Sequence, residues 1–216
     1  MSKVVREWVA GWAVSRGTPA PVEEPWGLRV DVGLPNHVAR HVLVDTDEAA
    51  VRTAARSVTL PGTRIKAFLP TETVAAWLCA DWAAGPPAFL MTTRLRTSDV
   101  PVPHGYTLTT ETRADGVTRA RALGADGSPT ARGQIAAVRG VAVVDRVATE
   151  PAHQRRGLAS LVMSALTVRA DECGATTGVL AATAEGRALY ESLGWTVHAP
   201  LAGFRYAPRS RPARVP

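Results

Sequence analysis

The spacing of apolar residues in the first half of the chain predicts an alternation of helices and strands. Over residues 4–14, apolar side chains recur at three- and four-residue steps, which is typical of one face of a helix. Asp47 or Thr46 supplies an N-cap for a second helix over 47–58, and Thr71 opens a third helix that is predicted to continue over 73–82. Strands are predicted over 28–32, 38–44, 64–69 and 89–95.

Turn signals divide the second half into short strands. The pairs Asp115-Gly116 and Asp126-Gly127 are typical of hairpins and predict an antiparallel meander. After it the apolar period becomes helical from residue 158, and Gly174 ends that helix. The predicted strands are 106–112, 117–123, 131–138, 141–149, 177–182, 195–198 and 204–206, with a last helix over 184–193 capped by Thr183. Together these patterns predict an α/β protein with a mixed sheet.

Two proline-containing stretches, 17–25 and 97–105, mark loops or boundaries. They separate a short helical lead and a middle segment from the C-terminal part of the chain. We therefore expect an N-terminal α/β segment over residues 1–96 and a second unit over residues 97–216.

Composition and charge narrow the classes of partner. Hydrophobic residues make up 46% of the 216 residues, enough to build a core. The formal net charge is +6, but the basic residues are scattered without a run of five, which argues against nucleic acid. Cys79 and Cys173 form no CxxC pair and the histidines show no metal-ligand spacing, so neither a disulfide nor a metal is predicted. No apolar stretch approaches 18 residues, so we expect a cytoplasmic protein without a membrane partner.

Residues 147–160 combine a strand end, a turn and a helix start. Pro151 ends the strand because it has no N–H to donate to a ladder, and Gly157 lets another group approach the backbone closely. The following helix begins with unpaired N–H groups and a positive dipole end, which bind phosphate, and Arg155 and Arg156 add charge. The chain has neither a P-loop nor an early GxGxxG, so those two phosphate motifs are excluded.

The segment Gln154-Arg155-Arg156-Gly157-Leu158-Ala159 resembles the Gln/Arg-x-x-Gly-x-Gly/Ala signature of the GNAT superfamily of acyl-CoA N-acyltransferases. Residues 185–195, which contain Tyr190 and Gly194, resemble the family's Ala-x-x-x-Tyr-x-x-x-Gly-Phe element. The two elements stand in the family's order, with a helix and a strand between them. The resemblance extends over roughly residues 106–206. It implies a mixed, largely antiparallel central sheet flanked by helices, with acetyl-CoA as co-substrate.

The resemblance also implies a role for each part of these elements. The backbone of the strand end would hydrogen-bond the pantetheine arm, and the N–H groups of the turn would hold the pyrophosphate. The implied cofactor-binding residues are Val147, Ala148, Thr149, Gln154, Arg155, Arg156, Gly157, Leu158, Ala159 and Ser160. Tyr190 would protonate the departing thiolate, and the alternative is a tyrosine of the core. Thr183 stands where the family often has Asn, and Ala159 replaces the commoner Gly.

A lysine-like amine, with a pKa near 10.4, is almost entirely protonated near neutral pH, so a carboxylate must help to remove its proton. Asp145 is the candidate for this catalytic role, and the alternative is a surface or cross-strand partner. The predicted function is transfer of an acetyl group from acetyl-CoA to a primary amine by direct attack in a ternary complex. A non-catalytic acyl-CoA-binding module that regulates a partner is the alternative.

The acceptor is not identified by any motif, so small-molecule amines and protein amines both remain open. Residues 27–95 carry no second phosphate motif. They are interpreted either as a degenerate acyltransferase-like half or as an added acceptor-binding layer. A homodimer is also left open.

Overall fold

The computed structural model describes residues 2–208, in which five α-helices pack on a mixed sheet. The helices are α1 (Ser2–Arg16), α2 (Glu48–Ser57), α3 (Thr71–Ala75), α4 (Leu158–Glu172) and α5 (Ala184–Ser192). The strands are β1 (Val22–Glu24), β2 (Gly27–Leu34), β3 (His37–Leu43), β4 (Arg64–Ala67), β5 (Trp82–Ala84), β6 (Ala88–Arg94), β7 (Tyr106–Thr112), β8 (Thr118–Gly124), β9 (Pro129–Val138), β10 (Val141–Thr149), β11 (Thr177–Thr183) and β12 (Thr196–Tyr206).

The strands lie in the order β1-β2-β3-β4-β12-β6-β11-β10-β9-β8-β7, and β5 pairs with β12 beside this path. Among the described strands, β3 with β4 and β10 with β11 pair in parallel, and the other pairs are antiparallel. β12 makes the sheet continuous, since its first part pairs with β6 and its last part with β4 and β5. The predicted mixed, largely antiparallel sheet flanked by helices is confirmed.

Alternate residues of β10 face two different apolar clusters. Ala142 and Val144 pack with α4, whereas Val141 and Val143 pack with α1. Because successive strand residues point to opposite faces, α1 and α4 cover opposite faces of the sheet. A third cluster joins α2 and α3 to β4, β5 and the end of β12.

Gly11 brings α1 close to β10. A Cβ built at this position would lie 2.4 Å from Cγ2 of Val143, so a larger residue would push the helix away from the strand. Glycine within a helix costs about 1 kcal/mol relative to alanine, and here it permits the close contact. The last turn of α1, with Ser15 and Arg16, thereby reaches the middle of β10.

The helix predicted over 73–82 is wrong in extent. α3 ends at Ala75, and Trp82 instead begins β5, which pairs with the end of β12. The apolar spacing that indicated a helix reflects packing of Trp77 and Leu78 against the third cluster. The strands predicted over 195–198 and 204–206 form one strand, because a register shift between Val197 and Ala199 lets the pairing continue.

Strands from both predicted units lie in one sheet. β6 from residues 1–96 lies between β11 and β12, and α1 packs on β9 and β10. A functional division near residue 97 stays a prediction. Within residues 2–208, none of the helices combines the length and apolarity needed to cross a membrane.

Candidate active site

The parallel pair β10 and β11 separates halfway along its length. The two strands are paired from Val141 with Thr177 to Val144 with Leu180. A register shift between Asp145 and Ala148 follows, with Arg146 in the left-handed region at φ 56°. Beyond it, Ala148 and Thr149 remain paired with β9 only. The edge of β10 that faces β11 can therefore accept an extended ligand as a further strand.

The N-terminus of α4 carries no capping side chain. Gly157, the N-cap residue, has φ 78° and ψ −1°. The first hydrogen bond of the helix runs from the Leu161 N–H to the carbonyl of Gly157, at 3.0 Å. The next three N–H groups, those of Leu158, Ala159 and Ser160, have no acceptor among residues 2–208. A Cβ at Gly157 would meet nothing within 4 Å, so the space in front of this turn is open. Such a terminus suits a pyrophosphate group.

Tyr106 on β7 orders the charged side of this turn. Its hydroxyl accepts from Nη1 of Arg156 at 3.0 Å and lies 2.9 Å from Nδ1 of His153. The Tyr106 hydroxyl therefore joins Arg156 and His153, the two side chains that flank the turn. His153 is half-buried, and its ring is bound to Tyr106. Sequence analysis missed Tyr106, which lies 50 residues from Arg156 and belongs to no motif.

The other residues predicted to bind the cofactor in this turn differ in how far their side chains are exposed to solvent. Arg155 is exposed at φ 61°, and Gln154 points back to the carbonyl of Thr149 at 3.5 Å. Leu158 buries its side chain among the apolar residues of α4, so only its backbone faces the turn. Residues 154–160 thus lie together at the open end of the separated strands.

A cleft of about 440 Å³ lies at the divergence of the strands. Val144, Asp145 and residues 181–183 form its floor, and α1, β4 and β12 form its walls. Asp145 is on the face of α1, because it follows Val143 by two residues along β10. Its carboxylate accepts from both Nε and Nη2 of Arg16 and from Oγ of Ser15.

Tyr190 on α5 lies on the opposite face. It is buried in the apolar cluster of α4, with Val144 and Leu180, and its ring meets Trp195 edge-on at 6.1 Å. Burial, and to a smaller extent the charge of Asp145, raises the pKa of Tyr190 to about 12. The hydroxyl thus remains protonated as a donor throughout the physiological range.

Residues 118–197, from β8 to the start of β12, match the family model described as an acetyltransferase (GNAT) domain. The match includes the turn at Gly157, the separated strands and Tyr190. Over these residues the chain is similar to the GNAT superfamily. No curated protein matches the sequence at a significant level.

Solved GNAT structures share this fold at low sequence identity. A GCN5-related N-acetyltransferase from Kribbella flavida is similar over 96% of both chains, with 17% identity and a TM-score of 0.66. A putative GNAT-family acetyltransferase from Novosphingobium aromaticivorans is similar over 97% of this chain and 100% of its own, with 16% identity and a TM-score of 0.58. A tandem GNAT protein from the clavulanic acid biosynthesis pathway is similar over 76% of this chain and 69% of its own, with 15% identity and a TM-score of 0.51.

Thr183 marks a departure from the common GNAT pattern. Its hydroxyl accepts from the Gly186 N–H at 3.1 Å and caps α5. Thr183, which stands where the family often has Asn, therefore stabilises the helix that carries Tyr190.

Proposed function

We propose that this GNAT protein transfers an acetyl group from acetyl-CoA to the primary amine of an acceptor, by direct attack in a ternary complex. The observation that carries the proposal is the separation of β10 and β11 between an uncapped helix terminus and a cleft. N–H groups of residues 155–160 would hold the pyrophosphate, and the free edge at Val147, Ala148 and Thr149 would bind the pantetheine arm.

Two side chains on opposite faces of the gap are proposed for proton transfer. Asp145 faces the cleft, where the amine would enter, and Tyr190 lies on the face of α4 and α5, where the thiol would leave. Among residues 2–208, the Oδ1 atom of Asp145 accepts a hydrogen bond from Arg16 alone, so a second lone pair can accept a proton from the ammonium group, directly or through water. Arg16 keeps the carboxylate in place while this occurs.

Tyr190 would act mainly as a hydrogen-bond donor to the leaving sulfur. The ordinary pKa of a thiol is near 8.5, whereas the pKa of Tyr190 is raised to about 12. Complete transfer of the phenolic proton to a free thiolate is therefore uphill. Donation while the thioester breaks stabilises the charge that develops on sulfur.

Thiol release from acetyl-CoA with a panel of primary amines tests the proposal. We expect at least one amine to give stoichiometric free thiol and N-acetyl product. A stable complex with acetyl-CoA that turns over no amine would contradict catalysis and favour a regulatory acyl-CoA-binding module instead.

A further inference from the structure

The cleft beside Asp145 carries five cationic side chains, which we call the cationic cleft. They come from the end of α1, from β3 and β4, and from β12; they are Arg16, Arg40, Arg64, Lys66 and Arg205. Asp145 is the one carboxylate in the lining of this cleft within residues 2–208. It forms its ion pair with Arg16, and no ion pair within residues 2–208 involves the other four cationic side chains.

Arg40 is the most deeply placed of these cations. It is 9% exposed, and its guanidinium lies over the ring of Trp12 at 3.8 Å. Its Nε has no hydrogen-bond partner, and no carboxylate within residues 2–208 forms an ion pair with it. Burial, followed by repulsion from Arg16, lowers the pKa of Arg40 to about 9. An aromatic face compensates only part of the cost of burying such a charge.

Arg64 and Lys66 extend the same surface along β4. Arg64 donates to the carbonyl of Asn36 at 3.3 Å, but its Nε is buried without a partner. Burial, followed by repulsion from Arg40 and Arg64, lowers the pKa of Lys66 to about 7. Gly203 leaves room for this ammonium group, because a Cβ there would lie 2.5 Å from Nζ.

These groups offer charge and hydrogen-bond donors that the described protein does not use. Planar guanidinium groups suit the oxygens of a carboxylate or a phosphate. The cleft volume of about 440 Å³ is that of a small-molecule pocket. The floor at Asp145 and residues 181–183 connects the cleft to the gap between β10 and β11.

We propose that the cationic cleft binds an oxyanion of the acceptor, so that the acceptor is a small amine bearing a carboxylate or a phosphate group. This rests on the acyl-transfer function proposed above. The anion contacts Arg40, Arg64 and Lys66, and the amine of the same molecule points to Asp145. Arg205, which is exposed, adds charge at the rim.

Matched acceptor pairs test the proposal by kinetics. Glycine is compared with glycinamide, and phosphoethanolamine with ethanolamine, at saturating acetyl-CoA. We expect kcat/KM to favour the anionic member of at least one pair by tenfold or more, and Arg64→Gln to bring that ratio close to one. Arg56→Gln, which removes an exposed charge on α2, is the control and should retain the ratio. Equal rates within both pairs, or a ratio that Arg64→Gln leaves unchanged, would overturn the proposal.

A second measurement needs no turnover. The chain contains two lysines, so protein labelled with ¹³C at lysine Cε gives one signal from Lys66 and one from the exposed Lys3. With CoA saturating, inorganic phosphate or glycine should raise the titration midpoint of Lys66 by at least half a pH unit and leave Lys3 unchanged. A Lys66 midpoint that responds to neither probe overturns the proposal. This result stands apart from any failure to acetylate amines, so the two proposals fail separately.

Discussion

Arg16, the last residue of α1, donates to both carboxylate oxygens of Asp145, although 129 residues separate them in the chain. The network continues through Ser15, whose hydroxyl donates to Asp145 and accepts from Nε2 of Gln134 at 2.7 Å. The hydrogen bonds of this network together hold the carboxylate of Asp145 in position at the floor of the cleft. The N-terminal helix thereby becomes part of the catalytic arrangement that we propose for this protein.

Asp145→Asn keeps the size of the side chain and removes its negative charge. We expect kcat to fall about 100-fold near pH 7, in the range for loss of one general base. The deficit should shrink as pH rises toward the pKa of the acceptor amine, because less deprotonation is then needed. A pH–rate profile checks this, and a kcat equal to wild type at pH 7 would remove Asp145 from the mechanism.

Gly11→Ala tests the close contact of α1 with β10. Alanine favours a helix by about 1 kcal/mol, but its Cβ would lie 2.4 Å from Val143, and overpacking costs about 1–3 kcal/mol. We expect a net loss of stability in denaturant unfolding, together with weaker catalysis as Arg16 moves from Asp145. Gly186→Ala in α5 is the control, since its Cβ would make ordinary contacts at 3.4 Å and should stabilise the protein. A more stable Gly11→Ala variant would show that the contact relaxes freely.

The pKa of Lys66 predicts a pH dependence of stability. Burial lowers this pKa to about 7 in the fold from its ordinary value of 10.5, so between these pH values the unfolded chain binds a proton that the folded chain has lost. The free energy of unfolding therefore rises with pH in this window, by at most about 1.4 kcal/mol per pH unit, and the destabilisation is complete below it. Denaturant unfolding at pH 7 and pH 9 should show a smaller rise for Lys66→Met than for wild type. Equal rises in both proteins would mean that Lys66 keeps an ordinary pKa.

Tyr190→Phe keeps the ring and its contact with Trp195 but removes the hydroxyl. We expect the fold and the affinity for CoA to be retained, while kcat falls roughly 10- to 1,000-fold for loss of a single proton donor. Single-turnover measurements isolate the chemical step from product release. An unaltered single-turnover rate would assign Tyr190 to the core alone.

Features fixed by neighbouring residues were predictable from the sequence. Asp47 or Thr46 was expected to cap α2, and Asp47 is the residue that accepts from the Ala50 N–H, at 2.7 Å. Gly157 was assigned to the turn before α4 and occupies the left-handed conformation that favours glycine. In each case the decisive partners lie within a few residues, and local backbone chemistry is enough.

Features made by distant residues were not predictable. The cationic cleft combines side chains from positions 16, 40, 64, 66 and 205, and none of them stands in a motif. The position of β6 between β11 and β12 depends on pairing between residues that are more than 80 positions apart in the chain. The bond of Tyr106 to Arg156 depends on the meander that brings β7 beside the turn. Periodicity identifies which residues are buried, but not which elements meet.

Calorimetric titration of acetyl-CoA into the wild type, Gly157→Glu and Gly116→Glu tests the central claim most directly. Gly116 is the matched control, since it also has a positive φ and open space but lies in the hairpin between β7 and β8. We predict one molecule bound per chain for the wild type and Gly116→Glu. For Gly157→Glu we predict at least 100-fold weaker binding, because a carboxylate would occupy the phosphate position at the start of α4. Unchanged affinity in Gly157→Glu would contradict the site, and two molecules per chain would reveal a second site that the account lacks.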